Sequence, residues 1–131
     1  MASPEGRRSV TNRHRILIVD DDRNSREVIA KILSLRRYDV DVASNGHDAL
    51  ELIRQREYGL ALIDYRMPGM DGVELYRKIR ELRPDFIGVF VTGFPTIDAV
   101  FSAISMGVKR VIGKPARSDE LLSVIDEIVG T

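Results

Sequence analysis

The chain has 131 residues, 44% of them hydrophobic, which suits one domain with a substantial core. Twenty basic side chains offset twenty acidic ones, so no global field favours nucleic acid or an anionic membrane, and any electrostatic function is local. The lack of cysteine excludes disulfides, thiolate metal sites and a cysteine nucleophile, and is compatible with a reducing cytoplasm.

The opening MASPEGRRSVTNRHR has arginines but no apolar stretch behind them, unlike a secretory signal, and residues 1–14 read as a flexible tail in front of one domain at 15–131. Short apolar runs then alternate with segments whose apolar residues recur at three- and four-residue intervals. A run at 16–19 precedes a helical stripe of Val28, Ile29, Ile32 and Leu33. A run at 39–43, which alternates and so suits a sheet edge, precedes Ala49, Leu50, Leu52 and Ile53. The third run, 60–63, leads to Leu75, Ile79 and Leu82; the fourth, 86–91, leads to Ile97, Val100, Phe101 and Ile104, with Gly107 as the residue that closes the helix. The fifth, 109–112, leads to Leu121, Leu122, Ile125 and Val129. No run approaches the roughly 20 residues that a membrane helix needs, and the reading is a soluble, cytoplasmic protein.

Five βα units in series imply an α/β fold, a doubly wound parallel sheet with helices on both faces, because parallel strands need long right-handed crossovers. Ligands of such sheets gather beyond the carboxyl ends of the strands. That rim receives Asp20, Asp21 and Asp22 from the first strand, Asp64 from the third, Thr92 and Gly93 from the fourth, and Lys114 and Pro115 from the fifth. Taken singly, each has an ordinary explanation: Asp22 as a helix cap, Asp64 opening a turn, Thr92 ending a strand, Lys114 in solvent. Together they place several carboxylates, a hydroxyl and an ammonium on one rim.

Converging carboxylates with no cysteine or histidine beside them describe an oxygen cage for a hard dication, and Mg2+ fits because it needs few protein ligands and keeps its waters. Lys114 and Thr92 are then placed to hold oxygens of a phosphoryl group. Asp64 is the best-placed nucleophile to accept that group as an acyl phosphate.

ILIVDDD, LIDYRMPGMDG, VTG and GKP stand in the order and spacing of the receiver domains of two-component response regulators, which the chain resembles from about Arg15 to Val129. The resemblance implies a flavodoxin-like fold with five strands in the order 2-1-3-4-5 and five flanking helices. It implies that Asp64 is phosphorylated by a sensor histidine kinase or a histidine phosphotransfer protein. Asp21 and Asp64 would ligate Mg2+ directly, Asp20 through water, and Arg66 by its backbone carbonyl. Thr92 would bond the phosphoryl group, Gly93 would leave it room, Lys114 would bridge phosphate and carboxylates, and the Lys114–Pro115 peptide would be cis. Pro68 and Gly69 suit a type II turn, Asp71 a cap of the third helix, and Asp22, outside the motif, a cap of the first. The phosphorylated surface around the fourth helix and fifth strand would control an output domain or protein target, and the resemblance allows a phosphorylation-dependent homodimer.

There are three departures from the family pattern, the third at two positions. Val111 stands three residues before the lysine, where many receivers carry an aromatic switch residue, and Ala116 follows the lysine-proline pair in place of phenylalanine. The third concerns Arg66 and Phe94, two residues beyond the acceptor and the threonine, positions that the resemblance implies flank the phosphoryl group, where they are expected to shield it from water. The aromatic residues Tyr58, Tyr65, Tyr76, Phe86, Phe90 and Phe101 read as scattered core and surface positions rather than a base-stacking platform. His14 and His47 read as solvated. The turn DDDRNS lacks the glycines of dinucleotide and P-loop sites. Two rivals stand beside the phosphoacceptor reading. A small-molecule phosphatase of the haloacid dehalogenase type needs an acid two residues after its nucleophile, where this chain has Arg66. A phosphorylation-independent, receiver-like interaction module needs only the fold.

Overall fold

A computed structural model describes residues 14–93 and 95–130, so the 1–13 stretch of the expected tail and Phe94 lie outside the described residues. The strands are β1 (Arg15–Val19), β2 (Asp39–Ala43), β3 (Leu60–Asp64), β4 (Gly88–Thr92) and β5 (Arg110–Gly113). The helices are α1 (Arg23–Ser34), α2 (Gly46–Gln55), α3 (Gly72–Leu82), α4 (Ile97–Ser105) and α5 (Ser118–Val129). All strand pairs are parallel, as the sequence predicts, with the alternating β2 at an edge, and the order is β2-β1-β3-β4-β5, as the resemblance implies.

Four helices begin where a short polar side chain takes an otherwise unpaired backbone N–H. Asp22, Asn45, Asp71 and Thr96 accept from Ser25, Asp48, Glu74 and Ala99 respectively. Side chains alternate across the sheet. Leu17, Val19, Ile63 and Phe90 pack with α2, α3 and α4, while Ile16, Ile18, Leu62, Val89, Val91 and Ile112 pack with α1 and α5. The central strands β1, β3 and β4 are thereby sealed on both faces, and their continuous hydrophobicity follows.

Two expectations need correction. The fourth run does not start its strand at Phe86, whose N–H closes a turn on the Arg83 carbonyl (3.0 Å); pairing begins at Gly88 and runs through Thr92. The stripe on α4 does not face the core: Ile97, Phe101 and Ile104 are 87%, 72% and 58% exposed, and Ala103 is the buried residue of that helix. Gly107 does close α4, at φ +93°. Its N–H bonds the Ile104 carbonyl and that of Val108 bonds the Ala103 carbonyl, a Schellman pair over the buried Val108 and Ala103. His14, expected in solvent, is half-buried and stacks on Tyr38 with ring centroids 5.8 Å apart, while His47 is exposed as expected.

Candidate functional site

The ends of β1, β3, β4 and β5 bring the predicted side chains together. One carboxylate oxygen from each of Asp20, Asp21 and Asp64 lies within 4.8 Å of the others, with Asp20 and Asp64 buried and Asp21 exposed. Lys114 reaches across from β5, its Nζ 2.9 Å from Asp20 Oδ2 and 3.3 Å from Asp64 Oδ2. Oxygen donors alone, two of them held at the bottom of the cluster, fit a hard divalent cation such as Mg2+. The backbone N–H of Arg66 donates to Asp64 Oδ1 (3.3 Å).

Asp20 and Asp64 are oriented by the groups around them. Asp20 Oδ1 accepts the N–H of Asp22 (2.9 Å), so Asp22 serves the site through its backbone while its side chain caps α1. Burial alone would push the Asp20 carboxyl up, but the hydrogen bonds from Lys114, the Asp22 N–H and Ser25 outweigh it and hold the group below its ordinary value. Asp64 goes the other way: burial, then the adjacent Asp20 charge, pushes it up to about 6 despite Lys114. For Lys114, burial disfavours the ammonium, and the two carboxylates more than compensate, raising its pKa. The three groups form one charge system in which a second carboxylate is expensive until more positive charge arrives.

Thr92 is buried at the end of β4, and its carbonyl accepts the N–H of Lys114 (2.8 Å), tying the two strand ends together. The Lys114–Pro115 peptide is cis, and Gly93 has open space where a Cβ would stand. On the acceptor side, Gly69 at φ +75° fits the expected turn and Asp71 caps α3. Gly72 permits α3 to abut β3, since a Cβ there would lie 2.5 Å from the Asp64 carbonyl oxygen.

The family model of the response regulator receiver domain matches residues 16–126. The chain belongs to that family. The receiver is 32% identical over 115 residues to the response regulator receiver protein CpdR of Brucella abortus, an alignment spanning 88% of this chain and 96% of CpdR. Its fold superposes on a CheY-like receiver domain from Methanospirillum hungatei with a TM-score of 0.83 at 34% identity, covering 88% of this chain and 93% of that one. The Thermotoga maritima regulator TrrA, solved with Mg2+ and BeF, gives a TM-score of 0.79 at 30% identity over 87% of this receiver and 97% of TrrA. The receiver also matches two longer transcriptional regulatory proteins, of which it spans about a third and about a quarter.

Two features of the receiver escaped the sequence. Arg26, one turn into α1, donates from Nη1 to the Asp20 carbonyl (2.9 Å) and so fixes the end of β1 from the helix that follows it. Only its place one turn inside a capped helix pointed back at the strand end. Three of the aromatic residues expected to be scattered in fact meet edge to face: Phe90 lies 5.5 Å from Tyr65 and 6.0 Å from Tyr76. No local signal announces contacts between residues so far apart in the chain.

Proposed function

We propose that this receiver is a phosphorylation switch in which Asp64 takes a phosphoryl group from the phosphohistidine of a sensor kinase or phosphotransfer protein. One observation carries the proposal: Asp20, Asp21 and Asp64 converge on one point while Lys114 spans the two buried members. Asp21 and Asp64 would hold Mg2+ directly, Asp20 through water, and Arg66 by its carbonyl. When bound, Mg2+ supplies the positive charge that lets these acids ionise side by side and neutralises phosphoryl oxygens.

An Asp64 oxygen attacks phosphorus as the phosphorus–nitrogen bond of the donor breaks, and the electron pair stays on the imidazole, which takes a proton from solvent. With a pKa of about 6, Asp64 is largely ionised and nucleophilic near neutral pH. Lys114 exchanges its contact with Asp64 for a phosphoryl oxygen, and the Thr92 hydroxyl bonds another. Drawing Thr92 inward biases the segment between β4 and α4, and so what that face binds.

The donor has a landing place. A depression of about 380 Å³ lined by the exposed Val28 and by Ile29, Lys114, Pro115 and Ala116 reaches the acids through Lys114. Since two of the regulators it matches are transcriptional regulatory proteins, an output domain or target protein is the proposed reader, with a phosphorylation-dependent homodimer as one form of output. No helix among the described residues is long and apolar enough to cross a membrane, which suits the proposed cytoplasmic setting.

Incubation with acetyl phosphate tests the proposal. One phosphoryl group on Asp64, found by intact mass and peptide mapping, is expected with Mg2+ and not without it, and not in Asp64→Asn. Absence of labelling would favour the phosphorylation-independent module. Continued release of phosphate from a small phosphoester would favour the phosphatase, whose second acid is replaced here by the exposed Arg66.

A further inference from the structure

The aromatic ring missing from β5 at Val111 has a counterpart on the neighbouring strand. Phe90 is the register partner of Val111, and both pack on the face covered by α2, α3 and α4. Phe90 touches a ring on either side, Tyr65 at an interplanar angle of 62° and Tyr76 at 76°, the edge-to-face geometry that aromatic pairs prefer. Tyr65 is the residue after Asp64, and its N–H bonds the Val91 carbonyl next to Thr92 (3.0 Å). One end of this file therefore sits on the backbone of the acceptor.

The other end sits on α4. Tyr76 is buried and its ring occupies the space above Gly88, where a Cβ would lie 2.6 Å from the ring. Its phenol donates to the Gly107 carbonyl (3.0 Å) and accepts from Arg80 Nη1 (2.6 Å). Gly107 is the residue that closes α4. That helix has one buried side chain, Ala103, and three large apolar side chains in solvent, so packing holds it weakly and the bond at its C-terminal end weighs more.

We infer that Tyr65, Phe90 and Tyr76 couple the acceptor to the C-terminal end of α4, and that the Tyr76–Gly107 hydrogen bond holds α4 in its resting position. The inference rests on the phosphoacceptor reading of Asp64. Close-packed rings do not shift singly, so a rearrangement of β3 and β4 at Asp64 and Thr92 is passed on as a change of packing rather than absorbed. A bond made in the resting arrangement and lost in the phosphorylated one must, by linkage, weaken binding of whatever mimics the phosphoryl group.

The test uses the full chain, Mg2+ and beryllofluoride, with binding followed by titration and α4 by amide hydrogen exchange. Tyr76→Phe keeps the ring and removes the bond. It is expected to bind beryllofluoride roughly fivefold more tightly, the equilibrium factor of one net hydrogen bond, and to exchange faster at Gly107 and Val108 before ligand is added. Phe90→Leu keeps an apolar side chain and removes both ring contacts. In that variant the α4 amides are expected to respond less to beryllofluoride than in the parent, and this readout stands even should Tyr76→Phe fail to fold. Equal or weaker binding by a folded Tyr76→Phe, or an undiminished α4 response in Phe90→Leu, would overturn the coupling while leaving the phosphoacceptor intact. A parent chain that binds no beryllofluoride would overturn the proposed function and the coupling built on it.

Discussion

Replacing Asp64 by asparagine should stabilise the metal-free protein while abolishing its chemistry. A carboxyl whose pKa is about 6 instead of 3.8 costs the fold at most about 3 kcal/mol once ionised, at about 1.36 kcal/mol per pH unit. Water at the rim of the site reduces this to about 1–2 kcal/mol. The sign follows from where the proton sits. Below 3.8 the carboxyl is protonated in both states and contributes no difference; between 3.8 and about 6 the unfolded chain releases the proton while the folded chain retains it; above about 6 the whole penalty is present. Asp64→Asn should therefore match the parent in acid and exceed it by about 1–2 kcal/mol near neutral pH, seen in urea midpoints by circular dichroism and in a melting temperature raised by about 3–8 °C. Mg2+ should raise the stability of the parent and leave the variant almost unchanged. A variant no more stable than the parent at any pH, or a gain that grows as pH falls, would refute the account of the acid cluster.

Lys114→Met leaves Asp20 and Asp64 facing one another without their ammonium, and a loss of about 1–3 kcal/mol is expected in urea titrations near neutral pH, recovering as acid protonates the pair. Gly72→Ala drives a Cβ to within 2.5 Å of the Asp64 carbonyl oxygen, where only backbone can give way. A cost of about 1–3 kcal/mol and slower labelling of Asp64 by acetyl phosphate are expected. Arg66→Ala should shorten the lifetime of phosphorylated Asp64 severalfold by admitting water, as measured by loss of the acyl phosphate; an unchanged lifetime would remove Arg66 from the shielding role.

The chemistry was more legible than the packing. Asp20, Asp64, Thr92 and Lys114 could be assigned to one rim because each stands where an apolar run ends, and the topology of a parallel sheet puts those ends together. The caps at Asp22 and Asp71 and the closure at Gly107 were local and equally legible. Periodicity found the stripe of Ile97, Phe101 and Ile104 but not its direction, since an apolar face looks the same whether a sheet or solvent lies opposite. The fit of Tyr76 into the space above Gly88 is a match of sizes across the fold, and nothing near either residue in the chain hints at the other. The start of β4 moved because the turn at Arg83 and Phe86 takes up the first residues of the run.

The thin attachment of α4 separates what that helix presents from what the acid pocket requires. Side chains at 97, 101 and 104 touch solvent more than they touch the protein, so mutations there are nearly free of folding consequences. What the exposed face of α4 presents can therefore be altered while the acid pocket, built from the ends of other elements, stays as it is.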